Sequence, residues 1–456
     1  AMQDVKLNLE VRDMSGNVAT SHEFQIDAET LDGFVGNLDM ESGWSLEGGK
    51  TGTATILFIP TKYAAPTEPK DYAFGGSFSY KDPYTGFVVT RDLNPVTLTV
   101  NPSPNLEMTY FMQRDVFGDD PLTEAIEPMK PSEFALIVNN KGYGDAENMK
   151  LTTRQPEIID NQKGLAISFE LISTQLNGQE KTMSLGGSMT SDFGNIPAQS
   201  QAYAQWWLQS SLLGHFIEYD IKATHLTSHD NPDLSLLDTV TIHELIHGFT
   251  VESTGEKPLR GFLVNDIKDR EDLPDGIYFT DATHADAYIS SSANIVKKSD
   301  TEYTLTVNAS STGWNYVSIS DPTNGKQALV KIVSSDGKEI NLDNIWQTDR
   351  TLRDGKDPLY ENRLHFIGNI LGNSEVFNLT FEPKPEVELE VESYSGVPEE
   401  GHVLKEQLTS ITVKFNKPIQ SESFTNEDIT VTCQGVAQDV SVISVEQLND
   451  TEYKML

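Results

Sequence analysis

Asp238-Thr239-Val240-Thr241-Ile242-His243-Glu244-Leu245-Ile246-His247-Gly248-Phe249-Thr250-Val251 is the stretch on which the fold turns. Ile242, Leu245, Ile246 and Phe249 follow the i, i+3, i+4, i+7 spacing of an amphipathic helix, with Asp238 placed to cap its start and Gly248 to end it. The composition argues the other way. Thr239 to Ile242 and Thr250-Val251 are β-branched throughout, and such side chains lose rotamer freedom in a helix while packing well on a pleated sheet. Spacing favours a helix and composition a strand, so the surroundings have to decide.

Those surroundings read at period two. Val5-Lys6-Leu7-Asn8-Leu9-Glu10-Val11, Thr97-Leu98-Thr99-Val100 and Tyr303-Thr304-Leu305-Thr306-Val307 alternate faces. Turn signals separate such runs, among them Ser15-Gly16-Asn17, Asp82-Pro83-Tyr84-Thr85-Gly86, Asn324-Gly325 and Ser335-Asp336-Gly337. The pattern predicts an all-β chain of tandem immunoglobulin-like or fibronectin-like β-sandwich domains. Two prolines two residues apart cannot sit inside a central strand, so Asn101-Pro102-Ser103-Pro104-Asn105 and Glu382-Pro383-Lys384-Pro385-Glu386 read as joints. A third boundary falls near Ser253 to Pro258. The expected domains are 1-102, 103-254, 255-384 and 385-456.

Two of these segments resemble known families. Glu133 to Leu151, with Val138, Asn140, Gly142, Ala146, Met149 and Leu151 at the marked positions, resembles the cell-adhesion-related bacterial domain called CARDB. Phe134, Leu136 and Val138 share one strand face there, and Asn140 with Gly142 suits a hairpin. Ser410 to Thr432 resembles bacterial immunoglobulin-like domains, through Val413, Phe415, Pro418, Phe424, Thr425, Asp428 and Ile429, with Phe424 to Ile429 expected to enter a strand. Both resemblances imply binding or spacer modules of surface proteins without catalysis. A sandwich of the second kind needs more strand after Tyr453, so the sequence is expected to be a segment of a longer protein.

The sharpest chemical motif is His243-Glu244-x-x-His247. On a helix, two histidines at i and i+4 share a face and reach one zinc ion, while the intervening Glu244 acts as general base on the bound water. A catalytic site also needs a third ligand. The metzincin pattern would place glycine at 250 and histidine at 253, where the chain has Thr250 and Ser253. No glutamate-bearing helix follows in Gly255 to Pro274, as the thermolysin-like pattern requires. Candidate third ligands are His215, His225, His229, His284 or a carboxylate. Zinc is therefore the alternative cofactor and a zinc-dependent peptidase the alternative activity, with His243 and His247 as metal ligands.

Calcium has a candidate in Asp115, Asp119, Asp120, Glu124 and Glu127, although the EF-hand pattern is missing and a solvated acidic loop explains the same residues. Adjacent Trp206 and Trp207 point to opposite faces of a strand, so one suits the core and the other could stack on a sugar. This makes a carbohydrate-binding module the second alternative. No phosphate-binding loop, nucleophile elbow or dinucleotide fingerprint occurs, and Cys433, the single cysteine, has no local activating base.

The 456 residues carry 33 basic and 69 acidic side chains, a formal charge of −36, which opposes nucleic-acid phosphates and anionic lipid. No apolar run reaches the ~20 residues of a membrane span, and no signal peptide opens the sequence. The leading expectation is a non-catalytic extracellular or cell-surface protein for adhesion, ligand binding or spacing. It needs no cofactor, and its partner is an extracellular protein or glycan.

Overall fold

The computed structural model describes residues 1–36, 43–120, 122–123, 127–153, 169–181, 189–215, 231–251, 258–267, 273–353, 356–384, 391–396, 409–416, 419, 424–429, 442–449 and 451–456. These residues form strands and three-residue 3-10 turns, with no α-helix among them. The period-two reading thus holds at the level of an all-β, multi-sheet protein. None of the described residues belongs to a helix long and apolar enough to cross a membrane. The chain forms two compact units. One combines Ala1–Pro121, Glu127–Gly325 and Leu329–Phe381; the other holds Glu382–Leu456 with two short segments, Leu122–Ile126 and Lys326–Ala328.

At the start of the larger unit, the antiparallel strands Trp44–Leu46, Met2–Asp13, Lys70–Lys81 and Val88–Val100 form one sheet, and Phe24–Asp32 pairs with Thr53–Pro60 in another. Val11 and Tyr72 from the first sheet meet Phe24, Ile26 and Phe58 from the second in a common core. Asp82 shows how a turn signal works: its carboxylate accepts from the Tyr84 and Thr85 amides, which closes the loop before the edge strand.

The central feature is a twelve-stranded sheet in the order Gln179–Lys181, Phe169–Leu176, Ser200–Ser210, Ser132–Asn140, Leu106–Gln113, Leu237–Val251, Leu259–Asn265, Gly276–Phe279, His284–Ile289, Gly313–Ser320, Arg363–Ile370 and Ile345–Thr348. The ambiguous run Asp238 to Val251 is strand, sixth in this order. It lies parallel to Leu106–Gln113 and antiparallel to Leu259–Asn265. The boundary expected near Ser253 to Pro258 falls between those last two paired strands, and residues 252–257 lie outside the described set.

Ser132–Asn140 is buried on both faces, which alternation explains. Phe134, Leu136 and Val138 pack in one core with Met189, Phe193 and Ile196 of the pair Ala146–Thr153 and Met189–Ile196. Ala135 and Ile137 pack on the other face with Phe111, Leu245 and Phe262. The expected hairpin between Ser132–Asn140 and Ala146–Thr153 is instead an arch, since these strands belong to different sheets and do not pair. Asn140 builds that arch. Its carboxamide oxygen accepts from the Asn105 and Gly142 amides, and its nitrogen donates to the carbonyls of Gly144, Ile196 and Pro197. A Cβ on Gly142 would lie 2.4 Å from the Asn105 nitrogen, so only glycine lets the proline-rich joint lie against the turn.

Farther along, the five-stranded sheet Ser292–Lys297, Glu302–Asn308, Ser374–Pro383, Gln327–Ser334 and Glu339–Ile340 supplies Leu305, Val307, Phe377 and Leu379 to a core shared with Val317, Leu364 and Phe366 of the large sheet. The smaller unit orders Val391–Ser395, Ile411–Phe415, Glu452–Met455 and Val445–Gln447 around Val413, Phe415, Tyr453 and Met455. Phe424 and Ile429 pack on that core. The expected strand over Phe424 to Ile429 is a 3-10 turn at Asn426–Asp428, because Asp428 accepts from both the amide and the hydroxyl of Thr425 and closes the chain on itself. Pro418 and Cys433 lie outside the described residues.

Candidate functional site

Period two would place residues four apart on the same face of a strand, so His243 and His247 would still point the same way. A bulge prevents this. The register with Leu259–Asn265 shifts between Leu245 and His247, and one extra residue inverts every side chain beyond it. His243 pairs with Phe111 in register and lies against Phe111 and Tyr278, on the face that buries Leu245, Phe262 and Val264. His247 pairs with Leu263, which faces the opposite core with Ile246 and Phe249. The strand therefore sends the two imidazoles to opposite sides of the sheet and does not bring them to one ion.

Each has its own partners. His243 Nδ1 is 2.7 Å from Asp266 Oδ1, and Tyr278 donates its hydroxyl to Asp266 Oδ2 at 3.2 Å. Burial, together with the neighbouring Asp266 carboxylate, pushes the Tyr278 phenol up to about 12. Glu244, the candidate general base, makes an ion pair with Arg114 at 3.4 Å. His247 donates from Nε2 to the Asp343 carbonyl at 2.9 Å and stacks on Trp346, with ring centres 3.9 Å apart. His365, opposite Trp346 on the neighbouring strand, lies nearly parallel to it at 9°. The Tyr316 hydroxyl contacts His365 Nδ1 and the Thr348 hydroxyl contacts Nε2, at 2.7 and 2.9 Å. Burial lowers both histidines, His247 to about 4 and His365, also disfavoured by the Arg363 charge, to about 3. Both rings are neutral at pH 7, as a stacked and partly enclosed imidazole requires.

Beside His247 runs an ionic chain, buried at Arg260 and Glu133 and half-exposed at Asp343, that no local pattern announced. Arg260 reaches Glu133 at 3.2 Å and Asp343 at 2.6 Å; Gln205 donates to Glu133 and Thr250 to Asp343. Gly248 faces this chain. A Cβ there would come within 2.4 Å of a Glu133 carboxylate oxygen, so the glycine that resembled a helix stop makes room for an ion pair. Losing one partner of the buried Arg260–Glu133 pair leaves an uncompensated charge, typically about 3–5 kcal/mol. These contacts link strands across the sheet.

Among the other metal candidates, His284 is exposed beside Tyr278, and His215 sits in the two-residue strand Gly214–His215 paired with Asp115–Val116. His225, His229 and Glu124 lie outside the described residues. Asp115 pairs with Arg114, Asp119 accepts from the Glu127 amide, and Glu127 accepts from the Asp120 amide. Tyr360 donates to Asp120 at 2.8 Å. The fully buried Arg350 anchors this acidic loop by donating to the carbonyls of Gly118 and Pro128, each at 3.0 Å. Among the described residues, no group of three or more His, Cys, Asp or Glu side chains is gathered around a possible ion. Trp206 is enclosed in the core, whereas Trp207 is half-buried on the opposite face.

No protein-family model matches the chain, and no curated protein matches it. Among solved structures it is similar to a variant of a two-domain M1 zinc metallopeptidase bound to L-tryptophan, at 10% identity and a TM-score of 0.15, over 66% of this chain and 46% of that one. A second similarity, to an M1 zinc metallopeptidase variant of Deinococcus radiodurans bound to a Tyr-Ser-Ala substrate, has the same identity and score over 65% and 44%. The chain spans less than half the length of either protein. Superposition at that score carries no argument about activity.

Proposed function

We propose that this chain is a non-catalytic, extracellular or cell-surface protein of β-sandwich modules, in which rigid sheets present surface to a protein or glycan partner. The observation that supports this reading is the fate of its sharpest motif. His243, Glu244 and His247 lie on an inner strand, on two faces, each engaged in contacts that hold the sheet. The charge of −36 suits a solvated exposed surface. Zinc analysis of the purified chain tests the catalytic alternative: the expected result is substoichiometric zinc, with background peptide hydrolysis unchanged in Glu244→Gln. Stoichiometric zinc lost in His243→Ala would overturn the proposal. Antibody labelling of intact cells that make the protein tests the location, and signal only after permeabilisation would count against it.

A further inference from the structure

A cavity of about 130 Å³ opens at one end of the interface between the twelve-stranded and five-stranded sheets. Its apolar lining includes Trp314 and Phe366 from the large sheet and Phe377 from the smaller one. That volume is well under the ~300–1,000 Å³ of pockets enclosing a drug-sized ligand, so it suits a short chain or one small ring.

The charges around it do not cancel pairwise. Glu339 is paired with Lys331 at 3.5 Å, and Lys338 acts electrostatically on Asp336. Glu375, partly buried on the strand Ser374–Pro383, has no hydrogen-bond or ion-pair partner among the described residues. Burial and the nearby Asp336 carboxylate raise its pKa, the behaviour of a carboxylate lacking a counter-ion.

We infer that this cavity binds a small organic ammonium, its positive charge held by the Glu375 carboxylate and its apolar body by Trp314, Phe366 and Phe377. An organic anion would meet the uncompensated Glu375 carboxylate, because Glu339 is already paired with Lys331 and Lys338 lies near Asp336. A hard metal ion requires about six or more oxygen ligands, which an aromatic-lined cavity does not provide. A neutral polyol would leave Glu375 without its counter-charge, whereas an ammonium neutralises it while its apolar body lies against the aromatic lining. The site stands apart from the surface-protein reading, since it concerns purified chain in solution.

Saturation-transfer NMR on the full chain at pH 7, with n-butylammonium, n-butanol, butyrate and glucose as probes, tests the assignment. The expected result is millimolar binding of the amine, roughly tenfold weaker binding of the isosteric alcohol, and none of butyrate or glucose. Glu375→Gln should reduce amine binding about tenfold while leaving the alcohol unchanged. Asn369→Arg, an exposed change at the rim that supplies a competing guanidinium, should also weaken it. Equal binding of amine and alcohol, an amine signal surviving both substitutions, preference for glucose, or no binding by any probe would each overturn the assignment. Failure in any of these forms leaves the surface reading untouched.

Discussion

His247 and His365 both stack with Trp346, and neither carries charge until the pH is well below neutrality. In the unfolded chain both titrate near the ordinary value of about 6.5. Between that value and the folded values of about 4 and 3, the unfolded state binds more protons, so stability falls as the pH drops through this window and is fully present above it. Thermal melts from pH 7.5 to 4.5 should show this decline, with a shallower slope in His365→Gln. An identical slope in the variant would remove His365 as a cause. The charged neighbours do not reverse the sign: His247 faces Glu133, Arg260 and Asp343, and His365 faces Arg363 and Lys130, and burial is the largest influence on both. This trio was not legible in the sequence, because Trp346 and His365 come to His247 from strands about a hundred residues downstream.

Among the elements, the arch after Ser132–Asn140 and the bulge in Leu237–Val251 do most to set the architecture. The arch depends on one fully buried carboxamide. Asn140→Ala would strand the Asn105 and Gly142 amides and three carbonyls, at a cost of about 3 kcal/mol, the scale of leaving buried polar groups unmade. The urea midpoint should fall accordingly, while Asn139→Ala, whose side chain donates to Glu107, should shift it little. Equal effects would show that the turn, rather than the buried amide, holds the arch. The turn residues were visible in the sequence as Asn140 and Gly142; their use was not. Hairpin and arch share the same local chemistry and differ in which strand waits beyond the turn.

For the whole molecule, two predictions of domain division can be separated. Leu259–Asn265 lies against the strand Leu237–Val251 with Phe262, Leu263 and Val264 fully buried, so a fragment ending at Thr254 would expose a long apolar edge and should aggregate. A fragment ending at Phe381 keeps every strand of the large sheet and should melt with the same main transition as the full chain. Soluble, monomeric 1–254 with an intact transition would instead support the division at 254. The sequence by itself determined the all-β class, the turns at Asp82 and Asn324, the opposed faces of Trp206 and Trp207 and the shared face of Phe134, Leu136 and Val138, because alternation and turn geometry are local properties of the backbone. Only the tertiary structure decided that Asp238 to Val251 is strand. There a helical spacing competed with β-branched composition by small margins, and burial of Leu245 and Phe249 between two waiting strands settled it on the side of composition. Tertiary structure likewise placed the bulge that separates His243 from His247, and brought Arg260 to Glu133 across 127 residues of chain. Those outcomes depend on contacts between distant segments, which no window of the sequence contains.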